Sequence, residues 1–149
     1  MIFFKPTEKF MDWLQTYAGD RFIVDVGCGE GLLLSEMKKR KMYCLGIDPY
    51  ETFIPDPERT HEIPEELIIR SIGERSPLIQ KDNTLILIAR PCHDGFASRV
   101  IKARNKKNEV LYIGLLENLE KDLDEDVEFE KLNVKSTGAD SEIVLSIKG

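Results

Sequence analysis

At 149 residues the chain is long enough to bury a sizeable core, and its length fits one domain spanning residues 1–149. Its formal net charge of −6 argues against nucleic-acid backbone as the main partner, while leaving room for a local basic patch. Composition is that of an ordinary globular protein, 42% hydrophobic and 32% charged, and no stretch approaches the ~20 apolar residues that span a bilayer.

The first residues turn polar too soon, at Lys5-Pro6, for a signal peptide. Residues 7–18 read as an amphipathic helix: Phe10, Trp13, Leu14 and Tyr17 fall at i, i+3, i+4 and i+7. Pro6 and Thr7 suit its start and Gly19 its end. Residues 22–26 read as a strand buried on both faces, because the run does not alternate. A glycine-rich turn follows, and a helix over 32–41 ends in a cluster of cations that suits its negative C-terminal pole. Residues 43–47 form a second strand, closed by Asp48-Pro49.

Pro49, Pro55, Pro57 and Pro64 argue against a long helix over 50–64, which is expected to be a loop with at most a short helix. A short third strand covers 67–69, and a turn of helix interrupted by Pro77 covers 73–80. Residues 84–89, apolar from Leu85 to Ala89, read as a central strand. A helix over 95–106, a strand over 109–113 and a short acidic helix over 115–123 come next. Residues 127–134 and 142–147 alternate apolar and polar residues about a polar connection at 135–140, which is a hairpin signature. Strands alternating with helices imply an open, doubly wound α/β sheet, mostly parallel, with helices on both faces and a C-terminal antiparallel hairpin. Residues 1–20 supply an N-terminal helix, 21–114 the nucleotide-binding core, and 115–149 the short helix and hairpin.

The stretch that carries most chemistry is Asp25-Val26-Gly27-Cys28-Gly29-Glu30-Gly31, between a buried strand and a helix. Glycines allow positive φ and let a ligand lie against the backbone, and a helix N-terminus offers N–H groups. A dinucleotide turn has Gly-x-Gly-x-x-Gly; here the spacing is Gly27-x-Gly29-x-Gly31, with Leu32 in place of the third glycine. Asp25 stands two residues before the first glycine, and Asp48 ends the second strand, where a carboxylate can accept from ribose hydroxyls. Two carboxylates repel a pyrophosphate but not a ligand that carries a ribose and an ammonium. S-adenosylmethionine fits that description.

The turn together with Ile47-Asp48-Pro49 resembles the class I (Rossmann-like) S-adenosylmethionine-dependent methyltransferases. The resemblance in element order covers nearly the whole chain and implies a seven-stranded sheet, while the specific motifs cover residues 22–49. It implies that Asp25 helps place the amino-acid end of the cofactor, that Gly27, Cys28, Gly29 and Gly31 pass close beneath it, and that Asp48 takes the ribose diol. Pro49 or Tyr50 would border the adenine, and the family's first helix often closes over the methionine end, which brings in Phe3, Phe4 or Tyr17.

The chain departs from the family at two points. No Asp follows the third strand, so Ser71 or the backbone N–H of Ile72 is left to hold the adenine amino group, and the helix between strands two and three is lost or shortened. After the fourth strand, where the methyl acceptor usually sits, stands Arg90-Pro91-Cys92-His93-Asp94 instead of the Asn/Asp-Pro-Pro-aromatic signature of nucleic-acid amino methylation. His93 reads as a general base, or as a loop histidine that caps the next helix or is solvated. Arg90 either clamps an anionic substrate or pairs with an acidic neighbour, and Asp94 suits a helix N-cap.

Cys92 reads as a packing residue, and three widely spaced cysteines (Cys28, Cys44, Cys92) read as reduced thiols of a cytoplasmic protein, neither disulfide framework nor metal site. The basic run Arg99, Lys102, Arg104, Lys106 and Lys107 and the acidic run 117–130 read as solvated faces, and His61 as a surface residue. The expectation is methyl transfer from S-adenosylmethionine to an acceptor that is small or macromolecular. The alternatives are a non-catalytic methyltransferase-like binding or regulatory protein and, disfavoured by the glycine spacing, a nicotinamide enzyme.

Overall fold

The structure is a computed structural model that describes residues 5–50, 57, 59, 61–137 and 141–149. Helix α1 (Glu8–Ala18) starts where the Thr7 hydroxyl accepts from the Phe10 N–H at 3.1 Å and stops at Gly19, whose φ is 62°. Strand β1 (Phe22–Val26) leads through the glycine turn into α2 (Leu32–Lys39), then β2 (Cys44–Ile47). Between β2 and β3 (Ile68–Ile69) the described residues hold only the 3-10 turn Glu65–Leu67, so the helix expected to be lost or shortened is absent from them.

The interrupted helical turn resolves into two 3-10 turns, Gly73–Arg75 and Pro77–Gln80, because Pro77 can open a turn but cannot continue a helix. Strand β4 (Thr84–Ala89), helix α3 (Phe96–Ala103) and strand β5 (Val110–Leu115) follow. The 3-10 turn Leu116–Asn118 runs into α4 (Leu119–Asp122), and β6 (Glu130–Lys131) and β7 (Glu142–Ile147) close the sheet.

The sheet has seven strands in the order β3-β2-β1-β4-β5-β7-β6. β1 to β5 are parallel and β7 and β6 antiparallel, with Leu111 opposite Ser146 and Glu130 opposite Ser146 from the other side. β4 is central, and its Leu85, Ile86, Leu87 and Ile88 are fully buried, each contributing about 1.5–3 kcal/mol of apolar burial. One face packs Ile23, Leu85 and Leu87 against α1 and α2; the other packs Val24, Ile86, Ile88 and Tyr112 against α3. The odd and even positions of each parallel strand divide between these layers, as a two-sided sheet requires.

Two elements are shorter than their patterns. The alternation over 127–134 yields only β6 plus a bond from Leu132 N to Val144 O at 2.9 Å, because Asp124–Val127 first makes a turn that folds Val127 onto the core. Helix α3 stops at Ala103 because Arg104 turns extended and its buried guanidinium donates to the carbonyls of Asn108, Ile101 and Gly149. Among the described residues, no helix is long and apolar enough to cross a membrane.

Candidate active site

The strand order changes direction between β1 and β4: the chain winds outward from β1 through β2 to β3, then returns to β4 on the other side. Such a switch point leaves a crevice beyond the carboxyl ends of the two strands, where open α/β sheets take their ligands. The glycine turn follows β1 and the Arg90–Asp94 segment follows β4, so both lie at this edge of the sheet.

Gly27, Gly29 and Gly31 all have positive φ, at 76°, 56° and 77°. The turn spends its own donors internally. The N–H groups of Gly27 and Cys28 both donate to Ile47 O, at 2.7 and 3.1 Å, and Gly31 N donates to Cys28 O at 3.0 Å. Gly29 N donates to Asp48 Oδ2 at 2.9 Å. The amides of Gly27, Cys28, Gly29 and Gly31 are therefore not on offer to a phosphate. A Cβ on Gly29 would meet nothing within 4 Å, whereas one on Gly31 would lie 2.8 Å from Pro64 Cδ.

Asp25 and Asp48 are 3% and 4% exposed. Asp48 is anchored: its second oxygen, Oδ1, accepts from Tyr50 N at 3.0 Å. Asp25 has no hydrogen-bond partner among the described residues. Burial, with the field of Asp48, pushes its carboxyl up to about 7. Burial and both carboxylates also push the Cys28 thiol up, which makes it a packing group and not a nucleophile.

The rim of the turn is built by residues from the proline-rich loop. Arg59 pairs with Glu30 at 2.7 Å, and His61 Nε2 donates to Glu30 O at 2.9 Å. Beyond β3, Ser71 is half-buried with its hydroxyl on Ile72 O at 3.4 Å, and Ile72 is 44% exposed. Phe96 packs beneath the turn: a Cβ on Gly27 would lie 3.2 Å from its ring.

After β4, Arg90 takes φ of 48° and donates from Nε to Glu142 Oε2 at 2.6 Å, so of its two readings the acidic neighbour is present. Asp94 is not the N-cap expected of it: Gly95 occupies that position with φ of 84° and no side-chain cap, and Asp94 Oδ1 accepts from Phe96 N at 3.1 Å in a turn just before α3. His93 neither caps that helix nor stands free in solvent; its Nδ1 lies 2.5 Å from Asp122 Oδ1. The other Asp122 oxygen accepts from the Tyr112 hydroxyl, and the Asp122 side chain is only 1% exposed. Burial and that carboxylate both raise the Tyr112 phenol.

No protein-family model matches the chain, and no curated protein matches it in sequence. Solved structures do. Magnesium protoporphyrin IX methyltransferase from Synechocystis with bound S-adenosylmethionine matches at a TM-score of 0.61 and 11% identity, over 95% of this chain and 77% of that one. An S-adenosylmethionine-dependent methyltransferase from Archaeoglobus fulgidus matches at 0.56 and 11% over 95% and 91%, and a TehB-like one from Corynebacterium glutamicum at 0.56 and 15% over 95% and 86%. The fold is that of the class I, Rossmann-like methyltransferases.

Within that methyltransferase fold, Tyr17 lies at the far edge from the crevice. Its hydroxyl donates to Glu109 Oε2 at 2.5 Å just before β5, in a cluster with Arg21 at 2.7 Å and Ser146. It holds the N-terminal edge of the sheet together and does not border the site; Phe3 and Phe4 lie outside the described residues. The basic run is not one solvated strip: Arg104 is buried, Arg99 pairs with Glu74 and Lys102 with Asp124. Nor is the acidic run wholly a solvated face, since Asp122 is core. The available signal is Asp122 beside Leu123, with Leu119 one turn earlier, but the acidic surroundings obscure it. Nor does anything in the spacing pair Glu30 with Arg59.

Proposed function

We propose that the chain is an S-adenosylmethionine-dependent methyltransferase whose cofactor lies in the crevice between β1 and β4. The observation that carries this reading is Asp25, a buried carboxylate with no hydrogen-bond partner among the described residues, beneath a turn whose Gly27, Cys28, Gly29 and Gly31 amides are already committed. Phosphate is disfavoured there, and a cation-bearing nucleoside is favoured. The residues present fit the group. Asp25 would receive its ammonium. Asp48 keeps further lone pairs for the ribose diol, and Gly29 leaves open space beside the turn. Pro49 or Tyr50 would border the adenine, with Ser71 or the Ile72 N–H at its edge.

When bound, S-adenosylmethionine supplies a methyl group already activated by a positive sulfur. The protein's part is then to align the two reactants, which by itself accounts for much of the acceleration such a displacement needs. Asp25 and Asp48 orient, Gly29 allows close approach, Gly27 makes room for the Phe96 ring beneath the turn, and the segment from Arg90 to Asp94 faces the acceptor.

The test is calorimetric titration of the full chain with S-adenosylmethionine, S-adenosylhomocysteine and NAD. Both adenosyl ligands are expected to bind and NAD is not. Failure of both adenosyl ligands overturns the reading.

A further inference from the structure

Three side chains from three separate elements form a hydrogen-bonded chain that begins beyond the carboxyl end of β4. His93 comes from the segment after β4, Asp122 from the end of α4, and Tyr112 from within β5. Asp122 is fixed from several directions. One carboxylate oxygen is 2.5 Å from His93 Nδ1, the other accepts from Tyr112, and its backbone carbonyl accepts from Ser98 Oγ at 3.3 Å. Tyr112 is fully buried, and its ring lies along its own strand over Gly114, where a Cβ would come within 2.5 Å of the hydroxyl.

The imidazole alone of the three reaches solvent. The His93 side chain is 44% exposed against 1% for Asp122. A carboxylate only accepts, so the neutral ring donates from Nδ1 and keeps the lone pair of Nε2 on the other side. A base that is oriented by a buried acid, in turn held by a third group, is an arrangement suited to proton abstraction. Its position matches: three residues beyond His93, the Phe96 ring packs against Gly27.

We propose that His93 is the general base of the transfer, with Asp122 and Tyr112 as positioning residues. The acceptor is accordingly one whose nucleophilic atom carries a proton at neutral pH, a hydroxyl or an aromatic N–H, and not a thiolate or carboxylate. In the step, the acceptor heteroatom bonds to the methyl carbon and gives its proton to His93 Nε2. The carbon–sulfur bond breaks and its electron pair stays on sulfur. The imidazolium formed is stabilised by Asp122. This inference rests on the methyltransferase reading, but its test does not use the cofactor.

The chain has two histidines, and they are held in opposite tautomers: His61 donates from Nε2 to the Glu30 carbonyl, His93 from Nδ1 to Asp122. Ring-nitrogen NMR of the 15N-labelled full chain at pH 8 is expected to show one imidazole of each kind, with the Nδ1–H signal lost in His93→Gln. Two rings of the Nε2–H kind overturn the proposal. As a second readout, diethyl pyrocarbonate should modify His93 at Nε2, at least about tenfold faster in the wild type than in Asp122→Asn, where the amide no longer enforces the tautomer. Equal rates in the two overturn it. If S-adenosylmethionine fails to bind while the tautomers are as stated, the cofactor reading falls and the oriented imidazole stands; the reverse pair of results removes the base and leaves the cofactor.

Discussion

The field of Asp48 adds to burial in pushing Asp25 up to about 7, while Asp48 itself is anchored by the N–H groups of Gly29 and Tyr50. The pair therefore divides its work. One carboxylate builds the turn, and the other is held ready beneath it at a cost in stability.

That cost has a pH signature. Asp25 binds its proton up to about 7 in the folded chain, against an ordinary value of 3.8. Between those values the native state keeps a proton that the unfolded chain has released, so stability falls as pH rises from about 4 to about 7 and is level above. Asp25→Asn removes the penalty. The variant is expected to exceed the wild type by up to about 4 kcal/mol at pH 8, and to match it near pH 4. Urea unfolding at pH 4, 6 and 8 measures this, and a variant less stable at every pH contradicts it.

Asp48→Ala should behave in the opposite sense. Removing the carboxylate leaves the Gly29 and Tyr50 amides without their acceptor, at a cost of about 1–3 kcal/mol in folding. Adenosyl binding should weaken by a similar amount if the ribose bond is also lost. Unfolding and titration of the same preparation separate the two effects, and unchanged affinity would remove Asp48 from the ribose.

Much of the frame is written in local pattern. The strands at 22–26 and 84–89 stand where apolar runs put them, because strands buried on both faces need no partner-specific information. The glycine turn is legible because positive φ at three alternate positions demands glycine. What pattern does not reveal is pairing across long separations. His93 and Asp122 are 29 residues apart, and Arg90 and Glu142 are 52 apart. Each contact depends on the sheet order, which places β4, β5 and β7 side by side. The same contacts explain why a residue in an acidic run is core, and why one basic residue left its strip.

Gly114→Ala tests the packing of the Tyr112 ring. The new methyl would meet a buried, rigid ring, so the variant should lose about 1–3 kcal/mol and displace the hydroxyl from Asp122. Thermal unfolding measures the loss, and a neutral result would mean that the ring does not lie over Gly114.

Arg90 combines a left-handed backbone with an ion pair to Glu142, whose side chain is fully buried. Arg90→Ala should cost about 2 kcal/mol through the lost charged hydrogen bond. Arg90→Gly should recover about 1 kcal/mol of that, because glycine bears the positive φ without strain. Denaturant midpoints of the two variants decide this, and Ala as stable as Gly would contradict the strain.

The most direct measurement of the central claim is calorimetric binding of S-adenosylmethionine to the full chain at pH 5.5 and pH 7, in buffers of different ionisation enthalpy. The ligand's ammonium stays charged throughout that range, and Asp25 must give up its proton to receive it. The account predicts release of close to one proton at pH 5.5 and affinity about tenfold tighter at pH 7. No binding, or binding without proton release and independent of pH, would contradict it.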